Sequence, residues 1–137
     1  MAGIKIADRT MAALQKSLDL RAQKQQVIAA NIANAETPGY AARKLTFEDD
    51  LRKAIASPES PVRTSNVKHF PIGSSGINGV QGQIIKQRDN SSLGDGNSVS
   101  IDDEMFDLAE NQILYEAGSQ ILKKKLSMLK YAVSDGR

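Results

Sequence analysis

Apolar positions follow a helical rhythm at the two ends of the chain and lose it in the middle. Near the N-terminus, Met11, Leu14, Leu18, Arg21, Gln25, Ile28 and Ile32 recur in alternating steps of three and four, the spacing of a coiled-coil seam. That seam is apolar at both ends and polar at Arg21 and Gln25. The pattern predicts a helix over residues 8–34, with Asp8 or Thr10 as its N-cap and a frayed start before it. Small residues along it (Ala12, Ala13, Ala22, Ala29, Ala30 and Ala33) permit close approach of other helices. At the other end, Met105, Leu108, Gln112, Tyr115, Ser119, Leu122, Leu126, Leu129 and Val133 keep the same rhythm, predicting a helix over 99–134. Ser100 or Asp102 caps it, and its polar centre is Gln112 and Ser119. Gly118 in its middle costs about 1 kcal/mol relative to alanine. If the chain doubles back, the two polar centres meet in an antiparallel pair. Val27, Ile101, Ile113 and Ile121 then lie off the seam, as apolar residues left outward for assembly.

Between the helices the punctuation is clear. Pro38 has no amide hydrogen and pushes Thr37 out of the helical region, so the first helix stops before it. Pro38-Gly39 suits the central positions of a type II turn, and Asn31 and Asn34 have amides able to bond backbone near a helix end. Read plainly, this is a helix C-terminus with a Pro-Gly stop and an anchoring Tyr40. Tyr40 to Leu45 is extended. Thr46 and Asp49 form an imperfect capping box before a short helix over 47–56, whose buried face is Phe47, Leu51, Ala54 and Ile55. Pro58 and Pro61 end it. Residues 57–98 are rich in glycine, serine and asparagine, with weak strands at Val62–Val67 and Gln81–Arg88 that suggest a hairpin. The expected fold is therefore mainly α and a single domain over 1–137. Its long N- and C-terminal helices pair as an antiparallel coiled coil (8–34 and 99–134). A turn and short second helix (35–56) and a flexible or weakly β insertion (57–98) lie between them.

Composition narrows the chemistry. The chain has 137 residues, a net charge of +2, 4% aromatic residues and no tryptophan or cysteine. Near-neutral charge disfavours a dedicated nucleic-acid binder, and without cysteine there is no disulfide or thiolate metal site. No apolar run approaches the roughly 20 residues that cross a bilayer, and the N-terminus lacks the apolar segment of a secretory signal. His69 is the only histidine and reads as an exposed loop residue. Asp102, Asp103 and Glu104 read as capping and helix-dipole charges rather than cation ligands. Gly73, Gly76, Gly79 and Gly82 have a period of three but lack the context of a phosphate loop, and Asn90-Ser91-Ser92 is a commonplace match to a glycosylation acceptor. Lys123, Lys124 and Lys125 wind around a helix as a solvated face. The expectation is no enzyme, no cofactor, no metal, no nucleic acid and no small-molecule substrate.

Two strings carry a family resemblance. Asn31-Ile32-Ala33-Asn34 followed by Thr37-Pro38-Gly39-Tyr40 resembles the N-terminal signature of bacterial flagellar axial proteins of the rod and hook. Asp95-Gly96-Asn97-Ser98 with the following helix start, the Leu20 to Gln25 run and the Leu126-Ser127-Met128-Leu129-Lys130 ending are similar to the rod members. The match covers roughly residues 10–50 and 94–134; Ser98 departs from the asparagine or threonine common there, at one turn contact. The resemblance implies a non-catalytic structural subunit of the proximal rod in the periplasm, part of a tubular, torque-transmitting structure and exported without a cleaved signal peptide. It also implies partners: other rod subunits, membrane-ring and export-gate adaptor proteins, and copies of itself. By the same resemblance, Asn31, Ile32, Asn34, Thr37, Pro38, Gly39, Tyr40, Asp95, Gly96 and Asn97 form the assembly motif. Another rod subunit, a soluble cytoplasmic coiled-coil adaptor, and a lysine-based membrane-surface or nucleic-acid module are the alternative readings.

Overall fold

The computed structural model describes residues 2–56, 76–87 and 94–134, with side chains in the first stretch described from Arg9 onward. Helix α1 spans Ala2–Ala33 and helix α3 spans Ile101–Val133. Between them lie strand β1 (Ala42–Thr46), helix α2 (Glu48–Ala56), a single 3-10 turn at Ile77–Gly79 and strand β2 (Gln83–Gln87). The N-terminal helix thus begins earlier than the expected residue 8. Its backbone continues through the segment read as frayed.

The weak strand expected at Gln81–Arg88 is β2, but its partner differs from the expected hairpin. It pairs antiparallel with β1, in a register that sets Ala42 opposite Gln87 and Thr46 opposite Gln83. Val62–Val67, the strand expected to pair with it, lies outside the described residues. The pairing follows from which strand has an apolar face to bury. Ala42 and Leu45 are buried while every residue of β2 is exposed, so β1 docks on the helices and β2 adds to its edge.

A small core forms on one side of α1. Leu20, Leu45, Phe47, Leu51, Ala54, Ile77 and Val80 are buried together, with Ala13 and Val27 packed against them. Val27 is therefore half-buried, not outward. Leu20 lies off the heptad seam and is 1% exposed, which makes it the centre of this cluster. Charged residues lock the rim. Lys24 pairs with Glu48 at 3.2 Å, and Arg9 Nη2 donates to the terminal carbonyls of α2 at Ala54 and Ile55. The Arg21 guanidinium lies 5.6 Å from the centre of the Phe47 ring.

Another side of α1 meets α3. Asn31 bonds Glu104, Arg21 bonds Asn111, and Leu18 reaches the Gly118 position, so the two helices run in opposite directions. The facing stripe of α3 keeps Leu108, Ser119 and Leu122 of the expected seam and elsewhere runs one residue before it. Glu104, Leu108, Asn111, Gly118 and Leu122 face inward to varying depth, and Asn111 is 2% exposed. Gln112 is exposed and bonds Glu116 on its own helix. Met105, Tyr115, Leu126, Leu129 and Val133, assigned to the packing seam, are exposed in the single chain. The shift has a local cause. A Cβ at Gly118 would stand 3.2 Å from Leu18 Cδ2, so the glycine opens the space that Leu18 fills. Glycine here serves close approach, which offsets its cost in helix propensity. On α1, Met11, Leu14, Leu18 and Ile32 are half-buried and Ile28 is buried.

Replacing Leu20 by alanine removes the centre of the small core without touching α3. We expect a loss of about 2–5 kcal/mol in urea unfolding of the purified chain.

Candidate functional site: a clasp between the two terminal segments

The motif residues from both ends of the chain converge where α1 ends and α3 begins. The helix closes with Asn34 N–H donating to the Ala30 and Asn31 carbonyls and Ala35 N–H to that of Ile32. Tyr40 N–H then donates to Thr37 at 3.2 Å, across a turn whose centre is Pro38-Gly39. Gly39 has φ 71°, the positive value that a type II turn requires of its third residue. Asn34 Nδ2 bonds back to the Ala30 carbonyl at 2.8 Å, and Thr37 Oγ1 donates to Asn34 Oδ1.

The segment before α3 lies along this turn. Gly39 N–H donates to the Asp95 carbonyl at 2.8 Å and Ser98 N–H to the Tyr40 carbonyl at 3.1 Å. Asn97 reaches under the helix end. Its Nδ2 lies 2.9 Å from the Asn34 carbonyl, 2.7 Å from that of Ala35 and 2.9 Å from that of Thr37. A side-chain amide has two hydrogens, so three carbonyls share them. These carbonyls belong to the turn that follows the end of α1 at Ala33, where no further helical turn supplies amide hydrogens. Asn97 is held in place from behind, its own N–H on Asp95 Oδ1 and its Oδ1 on Val99 N–H. Gly96, at φ 72°, lies with its Cβ position 3.6 Å from Gly39 Cα, so the two loops touch through glycines.

Asn31 is fully buried and makes four hydrogen bonds. Its Oδ1 accepts from Arg43 N–H at 3.0 Å while its Nδ2 donates to the Arg43 carbonyl at 2.7 Å. The amide plane thus does for the free edge of β1 what a neighbouring strand would do. The second Nδ2 hydrogen goes to Glu104 Oε1 at 2.9 Å, and Oδ1 also receives the Tyr40 hydroxyl at 3.4 Å. One side chain therefore joins α1, β1, the turn and α3. At the end of the sheet, Ser98 Oγ accepts from Ala42 N–H at 2.9 Å and donates to the Gln87 carbonyl, which bridges the Ala42–Gln87 pair. Ile32 packs half-buried beside these groups. All ten motif residues named from the sequence lie in or beside this cluster.

Sequence reasoning missed Asn111, Glu104 and Arg43 as partners. Asn111 is the second buried asparagine; its Nδ2 donates to the Arg21 carbonyl at 2.9 Å and its Oδ1 accepts from Arg21 Nη1 at 3.4 Å. The available signal was its place in the stripe of Leu108, Asn111, Gly118 and Leu122, one residue from the heptad that the apolar residues suggest. Burial pushes the Glu104 carboxyl above the ordinary glutamate range, with the nearby Asp107 and Asp103 adding to the rise; the Asn31 bond and Lys44 oppose it. Glu48 moves the other way. Burial alone would raise it, but the Phe47 and Glu48 backbone amides and Lys24 outweigh that and hold it low. Among the described residues no group of three His, Cys, Asp or Glu side chains is placed to hold a metal ion, and no helix is long and apolar enough to cross a membrane. What the cluster does is hold two chain termini in one fixed relation.

The sequence that builds this arrangement matches a known class of structural protein. A sequence model of the family described as flagella basal body rod protein matches residues 4–40, the stretch from α1 through the Pro-Gly turn. Flagellar basal body rod protein FlgB of Salmonella typhimurium is 34% identical, over 94% of this chain and 98% of its own length. The FlgB proteins of Bacillus subtilis (33%, 93% of this chain and 95% of the relative) and Escherichia coli (34%, 89% and 91%) are similar to a like extent. The chain belongs to the FlgB family of flagellar basal body rod proteins and is a structural subunit of the rod.

Replacing Asn31 by alanine removes both backbone bonds to Arg43; at about 1 kcal/mol net for each lost hydrogen bond, the chain should lose at least about 2 kcal/mol in urea melts. The two shifted carboxyls predict opposite pH trends. With a raised folded pKa, the native state takes up the Glu104 proton before the unfolded chain does. Its contribution to stability therefore grows as pH falls through the raised value and is complete below the unfolded one. Glu48, with a depressed folded pKa, contributes above its unfolded value and loses that contribution as pH falls through the folded one. Glu104→Gln should thus match or exceed the wild type at neutral pH and lose that advantage on acidification. Glu48→Gln should be weaker at neutral pH and converge with the wild type in acid, both measured by urea melts across the pH range.

Proposed function

We propose that this rod subunit occupies the proximal rod, where copies and related subunits join head-to-tail into a tube that transmits torque across the periplasm. The observation that carries the reading is the clasp. It is built from the two motifs shared with the axial proteins, and it leaves α1 and α3 lying antiparallel with a long apolar stripe of α3 unfilled. Phe106 is 71% exposed, Ile113 67% and Tyr131 65%. Heterologous contacts, in which two different surfaces of each copy meet head-to-tail, generate helical assemblies of this kind when the rotation does not close into a ring. In the assembled rod α1 and α3 pair as an antiparallel coiled coil, and the exposed Met105, Leu126, Leu129 and Val133 become packing residues once neighbours surround them. The free subunit is then ordered near the clasp and marginal at the distal helix ends, where ordering is coupled to association.

Partners on this reading are other rod subunits, the membrane-ring and export-gate adaptor proteins, and copies of the chain. Export uses the flagellar type III route, which does not read a cleaved signal peptide. No catalytic step is assigned. Mass spectrometry of basal bodies stripped of hook and filament should find the chain in the rod fraction; recovery only as a soluble cytoplasmic protein would support the adaptor reading instead.

A further inference from the structure

Helix α3 carries its charges in two blocks. Residues 101–116 hold Asp102, Asp103, Glu104, Asp107, Glu110 and Glu116 and no basic residue, whereas residues 117–133 hold Lys123, Lys124, Lys125 and Lys130 and no acid. Helix-dipole attraction fades within the first turn, so it accounts for Asp102 to Glu104 but not for Glu110 or Glu116. Pairing inside the subunit adds little. Among the described residues the one ion pair involving α3 is Lys44 with Asp107 at 3.4 Å, and it leaves the four lysines without an acidic partner. On the side of the helix turned from α1, Phe106 and Ile113 are exposed within the acidic block and Met128 and Tyr131 within the basic one.

We propose that neighbouring copies of this chain pack α3 against α3 in the same polarity, offset along the axis by about five helical turns, so that the acidic half of one lies beside the lysine half of the next. The proposal rests on the rod reading, because a head-to-tail tube gives every copy the same polarity. In that polarity an unshifted contact sets lysine against lysine and carboxylate against carboxylate, which costs affinity. Only an offset brings the two blocks together, and its size follows from the sequence. The exposed acids centre near Leu108 and the lysines near Lys125, a separation of roughly 18 residues, or ~27 Å at 1.5 Å per residue. At 3.6 residues per turn roughly 18 residues is five turns, so the offset neighbour presents the same face. Ile113 then meets Tyr131, and Glu110 lies level with Met128, about one turn from Lys124. The apolar residues supply attraction and the charges set the register.

The chain has no cysteine, so introduced thiols report contacts cleanly. Full-length chain carrying Ile113→Cys with Tyr131→Cys, expressed in place of the wild type, should give a ladder of dimers and higher multimers when isolated basal bodies are treated with a short bismaleimide. Ala117→Cys alone should give none. A dimer from Ala117→Cys would overturn the proposal, since an antiparallel pair centred on Ala117 also matches acid to lysine. A rod fraction that contains the chain but gives no ladder would overturn it too, while leaving the functional reading intact; absence of the chain from basal bodies would instead remove the functional reading. Charge reversal gives an independent readout. Lys123→Glu with Lys124→Glu should cut swarming at least tenfold with helicity unchanged by circular dichroism, and adding Asp102→Lys with Glu110→Lys, the acids about one turn to either side of Lys124 in this register, should restore it. Unchanged helicity with no restoration would contradict the register.

Discussion

The buried amide of Asn31 is the constraint on which the rest of this subunit depends. Its two polar atoms hold the Arg43 N–H at 3.0 Å and carbonyl at 2.7 Å, one carboxylate oxygen of α3 at 2.9 Å and the Tyr40 hydroxyl at 3.4 Å. Only an amide offers an acceptor and a two-hydrogen donor on one plane, so no other side chain of that length satisfies strand edge and carboxylate together. Asn97 applies the same chemistry to the end of α1, where three carbonyls converge on its Nδ2. Asn97 acts across 60 to 63 residues on the segment that follows α1, whereas Asn31 makes three of its four bonds to Tyr40 and Arg43 nearby and one across 73 residues to Glu104.

Apolar burial is modest by contrast. The core cluster has seven buried residues, all on the side of α1 away from α3 or on the segments packed there. The α1–α3 contact is held by polar groups and by shape: Asn111 on Arg21, and Leu18 in the space left by Gly118. Buried amides cost desolvation and return it only when every bond is made, so they specify register more than they add stability. A subunit built this way has its relative helix positions fixed at one end and leaves the far ends to be ordered by neighbours.

Much of this was legible in the chain. Periodicity located both long helices and the short one, because 3.6-residue repeats and proline stops act locally. The Pro-Gly turn and its positive-φ glycine followed from backbone sterics alone. The inward face of α3 was not legible, for two physical reasons. Heptad counting assigns the seam to the most apolar residues, whereas here Asn111 and Gly118 face the partner and Met105 and Leu126 stay exposed. In an isolated chain, moreover, residues suited to neighbouring subunits look the same as core residues. Strand pairing was hidden because β1 owes its buried edge to Asn31, a contact across twelve residues that no local pattern encodes. Ser98 bridges β1 and β2 through its hydroxyl, again a contact that no local pattern encodes.

For a structural subunit of the flagellar rod, function is the transfer of a fixed geometry from one copy to the next, and the clasp sets that geometry within the copy. Its central bond can be read at a single atom. Arg43 lies on an exposed stretch of β1, and its N–H points to Asn31 rather than into the ladder with β2. Amide hydrogen exchange of the purified chain, followed by NMR, should show the Arg43 N–H protected to the level of the Leu20 amide in α1. Exchange of Arg43 at loop-like rates while α1 stays protected would contradict the account.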